Sequence, residues 1–162
     1  ETVMDPSQVL HKVNAHITRL EKTTQFVTVL YGILNIETRE FKYSRAGHEP
    51  PILLSQGGRV ERLPHETGMA IGLWDVIKID EQTITLPPDS TLLLYTDGIT
   101  DCRDPGGEPF GLEGLMKLLE SHPVVSAQDL CDHLLNTLKK YQDGSKQDDD
   151  VTLLAIHGFL ES

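Results

Sequence analysis

Phe26-Val27-Thr28-Val29-Leu30-Tyr31-Gly32-Ile33-Leu34 is rich in β-branched and aromatic residues, and a second strand-like run, Glu40-Phe41-Lys42-Tyr43-Ser44, follows after only Asn35 to Arg39. A connection this short excludes a parallel return, which needs a crossover, and forces an antiparallel hairpin. The first run carries apolar residues on both faces, so it is expected to be covered on both sides and to lie centrally. The second alternates Phe41 and Tyr43 with polar residues.

Further strands are expected beyond this hairpin. Ile52-Leu53-Leu54 sits between Pro50-Pro51 and Gly57-Gly58. Val76 to Leu86 alternates Val76, Ile77, Ile79, Ile84 and Leu86 with polar residues and stops at Pro87-Pro88. Thr91 to Tyr95 is apolar on both faces, and Val151 to Ile156 reads as a last strand. Helices flank this block. The first opens with Asp5 as N-cap, Pro6 at the first helical position and Gln8 at the box position, then carries Val9, Leu10, Val13, Ile17 and Leu20 at helical spacing until Thr23-Thr24-Gln25 breaks the pattern. A second holds Leu112, Leu115, Met116 and Leu119 and must end before Pro123. Ser126 caps a third, with Asp129 at the box position and Leu130, Leu134, Leu135, Leu138 and Tyr141 on one face; Gly144 stops it. Antiparallel strands with helices before and after make an α+β arrangement, not a doubly wound sheet.

The 162 residues fit one domain with a sizeable core. Their net charge of −11 repels phosphate backbones, which argues against nucleic acid as a partner. No apolar run approaches the roughly 20 residues that span a bilayer, and the start, Glu1 to Asp5, lacks the features of a signal peptide. Cys102 and Cys131 form no close pair, which suits a reducing cytoplasm better than a disulfide framework or a zinc ribbon.

Two stretches carry chemistry. In Leu92-Leu93-Leu94-Tyr95-Thr96-Asp97-Gly98, a buried strand delivers Asp97 to its C-terminal end and Gly98 allows a sharp turn. In Asp148-Asp149-Asp150-Val151-Thr152-Leu153-Leu154, consecutive carboxylates repel one another directly before a buried strand. Taken alone, each reads better as a solvated turn. Together they leave a metal site and two solvated turns equally open, and oxygen donors of this kind would favour Mg²⁺, Mn²⁺ or Ca²⁺ over Zn²⁺. A calcium-binding EF-hand over Asp97 to Glu108 fails, because Ile99 and Cys102 stand where a ligand and a Gly are needed. The seven His form no His-Glu-x-x-His pair, no Gly-rich loop cradles phosphate, and no nucleophile elbow surrounds Thr96. Arg45-Ala46-Gly47-His48-Glu49-Pro50-Pro51 makes a stiff loop after a strand, in which His48 either approaches a substrate or, as local grounds favour, ties the loop down.

Five segments in order resemble the signature of one family: Phe26 to Gly32, Ala46-Gly47-His48-x-Pro50-Pro51, Gly68 to Leu73, Tyr95-Thr96-Asp97-Gly98, and Asp149 to Leu154. The pattern is similar to the bacterial SpoIIE/RsbU-type serine phosphatases, a branch of the metal-dependent protein phosphatase 2C superfamily. The resemblance implies two stacked antiparallel sheets flanked by helices, and two Mn²⁺ or Mg²⁺ ions that activate a bridging water. It places Asp97 and Asp149 as metal ligands, Asp150 and Gly98 beside them, and Asp148 as the alternative if the register is off by one. Gly47 and His48 fall in the substrate or loop-structural segment. It further implies a phosphoserine-containing regulatory protein of the anti-anti-sigma type as substrate, and an upstream sensor or receiver domain. The family's upstream Gly-Asp motif and its Asp-Val-x-Gly-x-Gly segment do not occur in this sequence. The expectation is a partial domain, inactive alone, whose complete form is a protein serine/threonine phosphatase. The alternative is a pseudophosphatase that binds a regulatory protein.

Overall fold

The computed structural model describes residues 5–20, 26–145 and 149–158. Among these lie three α-helices and seven strands, arranged as two antiparallel sheets, so the fold class is α+β. The chain divides into two compact units, Glu1–Pro50 with Pro64–Leu86, and Pro51–Leu63 with Pro87–Ser162. Each passage from one unit to the other falls at a proline: Pro51, Pro64 and Pro87.

In the first unit, helix α1 (Pro6–Leu20) accompanies a three-stranded sheet ordered β1 (Val29–Asn35), β2 (Glu40–Ala46), β5 (Asp80–Thr85). The expected hairpin is present, with Val29 opposite Ala46 and Asn35 opposite Glu40. The first strand is not the central one, however. Strand β2 is the centre of this sheet, and β1 pairs with β2 alone among the described residues. Phe26 and Val27 are exposed and precede the strand. Composition reports fit to a pleated surface, whereas position in a sheet is set by pairing, which composition does not encode. Gly32 opposes Tyr43, and a Cβ there would meet the Phe41 ring at 2.5 Å, so Phe41 lies where β1 has no side chain. Phe41 in turn stacks on Tyr43 at 4.9 Å.

Two further expectations are corrected here. The strand expected from Val76 begins at Asp80; Val76 is 86% exposed, while Ile77 and Leu86 are buried. On α1, Val13 is exposed and polar Asn14 takes the buried position between Leu10 and Ile17. The Asn14 amide replaces an apolar contact by hydrogen bonds, donating to Trp74 O at 2.9 Å and accepting from Gly72 N at 2.9 Å.

The second unit holds a four-stranded sheet ordered β4 (Arg59–Arg62), β3 (Ile52–Ser55), β6 (Thr91–Tyr95), β7 (Leu153–His157), with helices α2 (Gly111–Ser121) and α3 (Ala127–Gln142). Strand β6 is central, as its double-faced apolar run predicts. Strand β4 has one apolar residue, Val60, and was not expected; the Gly57-Gly58 turn folds it back on β3 as a hairpin. Leu115 and Leu119 of α2 and Leu130, Leu134 and Leu138 of α3 pack with Ile52, Leu54, Leu93 and Tyr95. Each fully buried Leu contributes about 1.5–3 kcal/mol, so this layer anchors β6 firmly. Ser126 caps α3 as expected, accepting from Asp129 N at 3.1 Å, and Asp143 and Gly144 end it in left-handed conformations.

Candidate functional site

The last residue pair of β6 and β7 is Tyr95 with Leu153. Beyond it the two chains stay together by other means. Thr96 N donates to Thr152 O at 3.2 Å. The Thr96 hydroxyl accepts from Thr152 N at 3.0 Å and donates to Asp150 O at 3.0 Å. One side chain thus satisfies both a donor and an acceptor of the neighbouring segment, extending the ladder by a residue.

The chain then turns. Ile99 N donates to Thr96 O at 3.1 Å, and Ile99 is fully buried. The carbonyl of Asp97 accepts from Asp101 N at 2.8 Å and from the Thr100 hydroxyl at 3.0 Å, so its backbone is fixed while its side chain lies at an exposed residue. Gly98 is buried directly against the second acidic segment. A Cβ on it would fall on Asp150 O, 2.9 Å from the Asp150 carbonyl carbon and 3.4 Å from Asp149 O. Only glycine permits this approach. Asp149 and Asp150 are exposed, and Asp149 Oδ1 accepts from Asp150 N at 2.7 Å. The structure therefore brings Asp97, Gly98, Asp149 and Asp150 to one end of the sheet; Asp148 lies outside the described residues.

These carboxylates are hard oxygen donors, the chemistry that suits Mg²⁺ or Mn²⁺. Among the described residues no three His, Cys, Asp or Glu side chains meet in a group able to hold a metal ion. The donor type fits the cation and the donor number is short of a whole site. A cleft of about 460 Å³ opens at the opposite end of the same sheet, lined by Ser55, Thr91, Leu119, His122 and His157. The exposed carboxylates and this concavity do not coincide.

Gly47 and His48 belong to the first unit. His48 is half-buried, its Nδ1 lies 3.3 Å from Glu49 O, and its carbonyl accepts from the Arg45 guanidinium. Arg45 also donates to Glu66 O at 2.8 Å and pairs with Asp80 at 3.0 Å. Burial alone would push the Asp80 carboxyl up; hydrogen bonds from Gln82, from the backbone at Glu66 and from Arg45 outweigh it and hold Asp80 below the usual carboxylate range. Gly47 has φ of 73° and packs on Ala70, and Gly68 leaves no room for a Cβ beside Arg45 O. The Arg45–Asp80 pair and the bonds of the Thr96 hydroxyl carry no local sequence signal, because their two sides lie 35 and 54 residues apart.

Solved structures share this fold. The PP2C domain of SiaA from Pseudomonas aeruginosa matches with a TM-score of 0.82 at 22% identity, over 94% of this chain and 61% of that one. The phosphatase domain of the cell fate determinant SpoIIE from Bacillus subtilis, presoaked with manganese, matches at 0.69 and 17% identity, over 100% of this chain and 68% of that one. The fold is thus that of PP2C-type phosphatase domains. Residues 1–158 match the family model of stage II sporulation protein E, SpoIIE, and the chain belongs to that family. The phosphoserine phosphatase RsbU of Bacillus subtilis is 31% identical over 159 residues, which are 96% of this chain and 46% of that protein. The chain spans less than half the length of the curated relatives it matches. No helix among the described residues is long and apolar enough to cross a membrane.

Proposed function

We propose that this chain carries part of the catalytic centre of a metal-dependent protein serine phosphatase acting on a phosphoserine-bearing regulatory protein of the anti-anti-sigma class. The observation that carries the reading is the junction of Asp97-Gly98 with Asp149-Asp150, two acidic segments pressed together at one end of a rigid sheet. Asp97 and Asp149 would hold Mn²⁺ or Mg²⁺, two ions in the complete domain, together with donors that these residues alone do not supply. When bound, such ions supply Lewis-acid charge and a water of lowered pKa. The chain's own part is positional: β6 and its Leu-rich helical layer fix Asp97, and Gly98 sets its separation from Asp149. Concentrated carboxylate charge on a chain of net charge −11 repels a phosphate dianion, so cation binding must precede substrate binding. Asp97, Asp149 and Asp150 are exposed residues, which suits a phosphoserine displayed on a protein surface better than a small metabolite.

A non-catalytic module that holds a regulatory protein is the second reading, favoured by the lack of a three-donor group among the described residues. One assay separates them: full-length protein with a phosphorylated partner of this class, wild type against Asp97→Asn. Chelation is expected to abolish hydrolysis and Mn²⁺ to restore it, and Asp97→Asn is expected to lower turnover about 10³-fold or more. Residues 1–162 alone are expected to hydrolyse little even in saturating Mn²⁺. Activity that survives chelation, or equal rates for the two proteins, rules out the metal mechanism.

A further inference from the structure

We infer that Thr96 is a positioning residue for the cation site: its hydroxyl, with Gly98, sets the register of the segment that carries Asp149 against the turn that carries Asp97. The inference rests on the metal reading above and goes further, since it gives a neutral side chain control over cation affinity. Backbone pairing of β6 and β7 ends at Tyr95 and Leu153, and Thr152 is already outside the strand. Besides the packing of Val151 on the core, Thr96 ties residues 150–152 to β6. Its backbone N reaches Thr152 O, and its hydroxyl takes Thr152 N and gives to Asp150 O, both at 3.0 Å. The two hydroxyl bonds fix the sense of the hydroxyl proton, because the oxygen must accept from one group and donate to the other.

Gly98 supplies the second constraint. Its flat backbone lies against the Asp150 carbonyl, the same oxygen that Thr96 holds. The Asp150 peptide is therefore gripped from two points of one turn, and Asp149 and Asp97 leave that grip on adjoining backbones. Asp149 and Asp150 are exposed residues, so water competes for these bonds, while Val151 next to them packs on the core. Cation coordination tolerates misplacement of only a few tenths of an ångström, and Mg²⁺ demands near-ideal geometry. Loss of the hydroxyl should accordingly be felt in cation affinity before it is felt in the fold.

The test is a calorimetric titration of full-length protein with Mn²⁺ alone, for wild type, Thr96→Val, Thr96→Ser and Asp97→Asn, joined to amide exchange at Thr152. Thr96→Val keeps shape and removes the hydroxyl; it is expected to weaken Mn²⁺ by about 10–100-fold, the usual scale for a residue that orients a ligand. Thr96→Ser keeps the hydroxyl and is expected to stay within about threefold of wild type. Thr152 should exchange faster in Thr96→Val and not in Thr96→Ser, with the amides of β3 and β6 unchanged in both. Wild-type affinity in Thr96→Val, equal weakening in Val and Ser, or a global loss of protection in Thr96→Val overturns the assignment. Unchanged Mn²⁺ binding in Asp97→Asn overturns the metal reading itself, and the role of Thr96 with it.

Discussion

In the first unit the loop bearing Gly47 and His48 hangs on a buried guanidinium, whereas in the second the turn bearing Asp97 is stitched by a neutral hydroxyl. Arg45 and Asp80 side chains are 7% and 1% exposed, and the guanidinium spends its donors on Asp80 and on the carbonyls of His48 and Glu66. Thr96 makes its bonds at the surface, between segments that water also reaches. The charged clamp is rigid because neither ion has water to fall back on. The hydroxyl staple is weaker, yet it brings no positive charge beside Asp97 and Asp149. A guanidinium there would satisfy the carboxylates and compete with a cation for them. A strong charged tie suits a loop whose shape must hold, and a neutral tie suits carboxylates whose charge must stay available.

The largest effect that could break this contrast lies in the first unit. Arg45→Met leaves Asp80 buried without its cation and frees the carbonyls of His48 and Glu66, so a loss of about 3–5 kcal/mol is expected in denaturant unfolding of the full-length protein. A loss below about 1 kcal/mol would mean that Gln82, which donates to Asp80 at 2.8 Å, suffices alone, and the clamp would not be the tie described. A smaller effect sharpens the other side. Gly98→Ala drives a methyl onto the Asp150 carbonyl and is expected to cost about 1–3 kcal/mol, the scale of local overpacking. That variant should also bind Mn²⁺ more weakly, whereas Arg45→Met should leave Mn²⁺ affinity close to wild type if the two ties serve separate loops.

The sequence shows the hairpin, the three helices and the two acidic strand ends because each depends on neighbours a few residues away. Ser126 capping α3 and Gly98 turning after β6 are local chemistry of that kind. Val29, Leu30, Ile33 and Leu34 read as a doubly covered, central strand, but β1 lies outside β2 because β2 takes the distant β5 as its second partner. Asn14 and Asp80 are polar residues at buried positions, satisfied by Trp74 and Arg45, and no periodicity rule anticipates a polar residue in an apolar stripe. In the sequence Thr96 is a hydroxyl inside the Tyr95-Thr96-Asp97-Gly98 segment with no nucleophile signature around it, and nothing there assigns it a partner. Its bonds to Asp150 and Thr152 exist only once β7 has paired with β6.

The smallest expected effect is the dependence on pH, and it falls on the two units at different points. At the corner between α2 and α3, His133 stacks on His122 with ring centres 3.8 Å apart, and His122 bonds Asp129 at 2.9 Å. Burial, and then the neighbouring His122, hold His133 below its ordinary value of 6.5, with Asp129 opposing and Lys140 adding to the shift. A lowered folded value means that folding favours the neutral ring. That stabilisation is complete above 6.5 and is lost as the pH falls through the lower folded value. Asp80 is likewise lowered, from 3.8, so the clamp in the first unit is complete above 3.8 and is lost only as the pH falls below it. Amide exchange of the full-length protein, corrected for its intrinsic pH dependence, should then show the first turns of α3 losing protection as the pH falls below 6.5. The β2 and β5 amides should hold until pH falls below about 4, where ordinary Asp side chains begin to protonate. His133→Phe keeps a ring on His122 without a titrating group and should remove the first change while leaving the second. Simultaneous loss in both units, or an unaltered α3 profile in His133→Phe, would show that the imidazole stack does not set the acid response of this corner.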